Sequence, residues 1–138
     1  RWTGRQAANR VPHPQSPDHD GHLVAMDIGT GEVLWRHSPR TRSLVAALTT
    51  AGGLVVTADG DRYLYINDVK TGEVLFSTRL PAPPQGFPIT YAVDGQQYLA
   101  VPVGTDPSLW SGISGQLTPE KHRPAVGGHA IVVFTLPE

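Results

Sequence analysis

Apolar residues in this chain fall in runs of four to six, bounded by glycine, proline or aspartate, and nowhere repeat with the spacing of an amphipathic helix. The pattern predicts short strands joined by turns and little helix. The runs lie at residues 22–27, 33–36, 43–48, 54–57, 63–67, 88–93, 97–101 and 130–135. Between them stand turn sequences such as Gly29-Thr30-Gly31, Gly52-Gly53, Asp59-Gly60-Asp61 and Asp94-Gly95. Small residues and aspartates let the backbone reverse there at low cost. Residues 1–21, with Pro12, Pro14 and Pro17 in a polar context, read as a loop or a lead-in from an upstream element.

The first run opens a pattern that returns. Residues 25–35, Ala-Met-Asp-Ile-Gly-Thr-Gly-Glu-Val-Leu-Trp, recur in degenerate form at 66–76, a period of 41 residues (position 66 less position 25). Asp27/Asp68, Thr30/Thr71, Gly31/Gly72, Glu32/Glu73, Val33/Val74 and Leu34/Leu75 are identical, and Trp35 is answered by Phe76. A period of that length filled by four short strands predicts the blade of a β-propeller. A third unit is offset by 44 residues (Tyr98 against Leu54), and its later strand by 67 (Ala130 against Tyr63). About 23 extra residues therefore form one inserted loop, 104–128, rich in Gly, Pro and Ser. The expected architecture is all-β: about two and a half four-stranded antiparallel blades over residues 22–138.

Composition narrows the possibilities. The 15 glycines and 13 prolines among 138 residues suit many turns. A net charge of −1, with no Lys/Arg cluster, gives no phosphate-binding face, so nucleic acid is not an expected partner. Without cysteine there is no disulfide framework, thiolate metal site or thiol nucleophile. No apolar run reaches membrane-spanning length, and no signal-peptide pattern is present. The opening on Arg1, inside a polar segment, reads as a piece of a longer polypeptide.

Candidate chemistry is sparse. Asp18-His19-Asp20-Gly21-His22, with His13 nearby, has the composition of a metal site. The same 41-residue shift, however, lays Asp18 on Asp59 and Asp20 on Asp61, where no histidine accompanies them. Aspartates bonding their own turns account for both copies. Residues 111–115, Ser-Gly-Ile-Ser-Gly, lack the spacing and flanking strand and helix of a nucleophile elbow. His122 and His129 flank the end of the insertion with no partnered carboxylate, and read as solvated loop histidines. Trp110, inside the insertion, either covers the end of a propeller channel or packs on blade edges. Trp35 is expected to lie flat between blades, its N–H on a backbone carbonyl, with Phe76 keeping the burial and losing the donor.

Residues 25–35 resemble the tryptophan-docking motif of the pyrroloquinoline quinone (PQQ) dependent alcohol dehydrogenases, which are eight-bladed propellers. Segments 48–56 (Leu-Thr-Thr-Ala-Gly-Gly-Leu-Val-Val), 68–76, 88–91, 94–101 and 133–137 are similar to that family's C-terminal blades, in the same order. The resemblance implies oxidation of an alcohol or other hydroxyl-bearing substrate with PQQ and Ca²⁺ or a lanthanide. Electrons would pass to a cytochrome c or a quinone, in the periplasm. The family's catalytic base and metal ligands lie in earlier blades, so cofactor and metal would be held mainly by blades outside this chain, and no catalytic or metal-binding residue is assigned here. Many alcohol-oxidising members carry Trp-Gly-Gly-Thr where this chain has Leu44-Val45-Ala46-Ala47. Gly104, and more loosely Trp110, match a loop that borders the cofactor in relatives. The expected protein is the C-terminal part of a PQQ-dependent dehydrogenase, inactive alone; the rival is a non-enzymatic propeller scaffold of the outer-membrane assembly type.

Overall fold

A computed structural model describes residues 14–43, 45–104 and 128–135. These residues form nine strands and no helix, in three antiparallel sheets. The first sheet is the hairpin β1 (Leu23–Met26) and β2 (Val33–His37). The second is a complete four-stranded meander of β3 (Leu48–Thr49), β4 (Leu54–Ala58), β5 (Tyr63–Asp68) and β6 (Val74–Arg79). The third holds β7 (Ile89–Val93), β8 (Gln96–Val103) and β9 (Ala130–Thr135). Sheets of two, four and three strands match the repeat reading, and the architecture is that of a partial propeller.

One sequence expectation is shortened. The run at 43–48 contributes only Leu48 and Thr49 to a ladder, because Ser43 instead makes an isolated bridge to Asp59. Its hydroxyl donates to the carbonyls of Val45 and Ala58, which turns the chain away from the sheet.

Alternation along β5 divides the second sheet between its neighbours. Leu64 and Ile66 share a face with their cross-strand partners Ala58 and Val56, and this face packs on Leu99, Val101, Val103, Val132 and Phe134 of the third sheet. Leu64 and Val101 are fully buried at its centre. Tyr63, Tyr65 and Asn67 take the opposite face, toward the first hairpin. The far side of the third sheet exposes Ile89, Tyr91, Val93, Ile131 and Val133, with Tyr91 stacked on Tyr98 at 5.2 Å between ring centroids. No helix among the described residues is long and apolar enough to cross a membrane.

The two copies of the repeated turn close alike. Asp27 Oδ1 accepts the N–H groups of Gly29 and Thr30, each at 2.8 Å, and the Thr30 hydroxyl at 3.1 Å. Asp68 Oδ1 accepts Lys70 N–H at 2.8 Å, Thr71 N–H at 2.7 Å and the Thr71 hydroxyl at 3.1 Å. Thr30 and Thr71 in turn accept the N–H of Glu32 and Glu73 at 3.2 Å. Donors from the turn hold both carboxyls below the usual carboxylate range, those of Thr30 and Thr71 foremost. Folded-state depression means that this contribution exists above the unfolded pKa and is lost as pH falls through the folded one. Asp68→Ala should therefore lower the unfolding temperature at pH 7 and have less effect at pH 3, and Asp68→Asn should fall between.

The copies differ in what rests on them. Gly31 and Gly72 both have positive φ, 74° and 75°. Open space faces the Gly31 Cα, whereas the Trp35 indole lies on Gly72, so close that a Cβ there would stand 2.6 Å from a ring carbon. Trp35 Nε1–H donates to the Val69 carbonyl at 2.9 Å. The expected docking is thus present, joining the hairpin to the next sheet. Phe76 does not keep the burial expected of it. It shares the face of Ile66, toward the third sheet, yet is 48% exposed, since no third copy of the turn stands opposite it among the described residues.

Candidate functional site

In an antiparallel meander successive connections alternate between the two ends of the sheets. The turns 27–32, 50–53, 69–72 and 94–95 therefore share one end. The connections 38–47 and 80–88, the turn 59–62 and the segment that leaves β8 at Gly104 gather at the other. Backbone pairs knit this second end together. Gly60 N–H donates to the Arg42 carbonyl at 3.1 Å and Leu80 N–H to Arg62 at 2.7 Å. Gln85 N–H donates to Pro102 at 2.8 Å and Gly104 N–H to Pro83 at 2.9 Å, beside an isolated bridge between Pro84 and Val103.

Gly104 is buried at the mouth of the insertion, and the His129 ring occupies the place a Cβ would take. A side chain at 104 would therefore push His129 or the loop start aside. Nearby, Gln85 Nε2 is buried with no hydrogen-bond partner. An unpaired buried amide donor costs stability unless an acceptor reaches it, so this position fits a ligand oxygen. Trp110, Ser111, Ser114 and His122, singled out in the sequence, lie outside the described residues.

Asp59, at the same end, is 2% exposed. Its Oδ1 accepts Tyr63 N–H at 3.0 Å and its Oδ2 accepts the Tyr65 hydroxyl at 3.1 Å. Burial pushes its pKa up to about 6; Asp61 adds to the rise, and the hydrogen bonds from Tyr63 and Tyr65 oppose it. Burial, then the neighbouring Asp59, holds the Tyr65 phenol well above its ordinary range. His37, on the hairpin strand β2, meets the Tyr65 ring edge-on at 4.7 Å between centroids, and its Nε2 is buried without a partner. Burial lowers its pKa. Sequence reasoning found the Asp59 turn but neither its burial nor its bond to Tyr65. The alternation that puts Tyr63 and Tyr65 on one face was the signal available.

In the acidic, histidine-bearing stretch at 18–22 the side chains and backbone take other partners, and His13 lies outside the described residues. His19 Nδ1 pairs with the Pro39 carbonyl at 3.1 Å, and His22 Nδ1 with Ser38 Oγ at 2.7 Å. Asp20 N–H donates to the Arg40 carbonyl at 3.0 Å, so the stretch is stitched to the connection leaving β2. Among the described residues no group of three or more His, Asp or Glu side chains is placed to hold a metal ion.

The chain as a whole is similar to known proteins. Residues 21–99, more than half of the chain, match the family model described as the β-propeller domain of PQQ glucose/ethanol/alcohol dehydrogenases. The chain is 38% identical over 122 residues to a quinoprotein ethanol dehydrogenase of Pseudomonas putida, covering 87% of this chain and 19% of the relative. It is 33% identical over 123 residues to a 1-butanol dehydrogenase (quinone) of Thauera butanivorans, covering 88% and 19%. The chain thus spans about a fifth of the length of these relatives. Among solved structures, the quinohemoprotein alcohol dehydrogenase of Comamonas testosteroni superposes with a TM-score of 0.65 at 28% identity, over 83% of this chain and 16% of that one. A europium-containing methanol dehydrogenase, at 24% identity, shares the fold with a TM-score of 0.68 over 88% of this chain and 24% of its own.

Proposed function

We propose, for a chain that belongs to the β-propeller family of PQQ-dependent glucose, ethanol and alcohol dehydrogenases, that it supplies C-terminal blades to an enzyme oxidising an alcohol or another hydroxyl-bearing substrate. The observation that carries this reading is the continuous match to alcohol-oxidising quinoproteins over 87% of the chain. When bound, PQQ supplies the two-electron oxidant, and Ca²⁺ or a lanthanide polarises it.

The part left to this chain is positional. Gly104 and Trp110 are assigned to the border of the cofactor. Lack of a side chain at 104 leaves His129 room to lie against the loop start, and the unpaired amide of Gln85 offers a donor to a carboxylate or quinone oxygen. The catalytic base and the metal ligands belong, on this reading, to earlier blades, so this chain alone is inactive. Electrons go on to a cytochrome c or a quinone, and the enzyme works in the periplasm.

Binding tests this without requiring turnover. The full-length polypeptide, titrated with PQQ in the presence of Ca²⁺ or a lanthanide, should quench its tryptophan fluorescence to a saturating end point. Gly104→Ala should weaken that binding by roughly tenfold, equivalent to about 1.4 kcal/mol, with little change in unfolding temperature. Failure to bind with either metal would overturn the cofactor assignment, and unchanged binding by Gly104→Ala would remove residue 104 from the site.

A further inference from the structure

The junction between the first hairpin and the second sheet encloses a carboxyl that the proposed chemistry does not use. The connection leaving β2 crosses over the Asp59 turn. Thr41 is fully buried and its Oγ1 accepts Asp61 N–H at 3.0 Å, the Arg42 carbonyl accepts Gly60 N–H at 3.1 Å, and Ser43 bridges Asp59 itself. From β2, His37 closes over Tyr65, whose hydroxyl is bonded to Asp59 Oδ2.

We propose that residues 41–43 and His37 form a proton-sensitive clasp over Asp59, closed when its carboxyl is neutral and loosened when it is ionised.

The physical reason is solvation. An ionised carboxylate in a buried junction, facing the Asp61 carboxyl and served by donors from Tyr63, Tyr65 and the Asp61 backbone that do not offset its burial, is stabilised by any opening that admits water. The clasp is held by isolated bonds rather than by a ladder: Gly60 N–H to the Arg42 carbonyl, Asp61 N–H to Thr41 Oγ1, the Ser43 hydroxyl to the Ala58 carbonyl, and the Ser43–Asp59 bridge. The groups facing Asp59 set the sign. Asp61 raises the cost of its charge, while the Tyr63 N–H and the Tyr65 hydroxyl lower it. Arg62, on the same turn, directs Nη1 to the Pro81 carbonyl at 3.2 Å and lies near Arg79 of β6, so it does not neutralise Asp59. His37 acts in the opposite sense: its depressed pKa makes protonation unfavourable in the closed form, so acid below its ordinary range works against closure. Asp59 carries the larger shift. Its folded pKa is raised, so closure is fully favoured below the unfolded value and is progressively lost as pH rises through about 6.

Amide hydrogen exchange on the full chain, corrected for intrinsic rates, reads this directly at Gly60 and Asp61, whose N–H groups bond the clasp. Protection at both should fall by roughly tenfold between pH 5 and pH 8, the part of the roughly hundredfold limit set by a shift of about two pKa units that remains above pH 5, while the Leu64 amide in the ladder stays protected. Asp59→Asn, the same shape without the charge, should abolish the step. Tyr65→Phe, which removes a donor to the carboxylate, should move the step to higher pH. A flat profile in the unmodified chain, a step that survives Asp59→Asn, or a step left in place by Tyr65→Phe would overturn the proposal.

Discussion

Trp35→Ala is expected to lower the stability of the chain by about 3 to 5 kcal/mol, the range for removing a large packed aromatic side chain. The ring spans two sheets: it rests on Gly72 and donates to the Val69 carbonyl. With the ring gone, the packing on Gly72 is lost and the Val69 carbonyl loses its donor. Trp35→Phe should keep most of the packing and lose one hydrogen bond, worth about 1 kcal/mol. Denaturant unfolding of the three proteins checks this. Equal losses for Ala and Phe would mean that the ring packs on nothing of consequence.

Gly72→Ala should be nearly as damaging, for a reason its twin makes measurable. Both Gly31 and Gly72 hold left-handed backbone, so alanine at either should cost about 1 to 2 kcal/mol in conformational strain. At Gly31 nothing lies within 4 Å of the new methyl, and that is the whole expected cost. At Gly72 the methyl also expels the indole, which brings the total to about 4 kcal/mol or more. In a Trp35→Ala background the two glycine substitutions should converge, because the ring that separates them has been removed. Persistent inequality there would place the difference in the turns themselves rather than in docking.

These two predictions mark where the sequence was legible and where it was not. The strands and turns could be read because alternation and Gly/Asp punctuation are local properties, and the 41-residue copy fixed their grouping into blades. Trp35 was readable as a fastener because its class of side chain and its place after a Thr-Gly-Glu turn imply stacking. Its seat, Gly72, was present in the repeat but indistinguishable from the empty Gly31, since only tertiary structure decides which turn receives a ring. Phe76 erred in the same direction. No docking turn faces it among the described residues, so its place in the repeat did not determine its exposure.

Asp59 shows the larger gap. Placed beside Asp18 in the repeat, it has the same sequence signature of a turn aspartate, yet Asp18 is exposed and Asp59 is 2% exposed. The difference comes from residues 41–43, which approach from the preceding sheet, and from Tyr65 and His37 across the junction. No local pattern encodes such a meeting. For the proposed cofactor border, Gly104 was identified through resemblance alone; the His129 ring against it and the unpaired Gln85 amide required coordinates.

These blades are proposed to belong to a quinoprotein that oxidises alcohols. The most direct measurement is dye reduction by the full-length protein, assayed over a panel of primary and secondary alcohols, with and without PQQ and with Ca²⁺ or a lanthanide. Reduction should require both cofactor and metal and vary with the alcohol. Absence of cofactor-dependent reduction across the whole panel, in a protein that is folded, would contradict it and favour a propeller that serves as a binding scaffold.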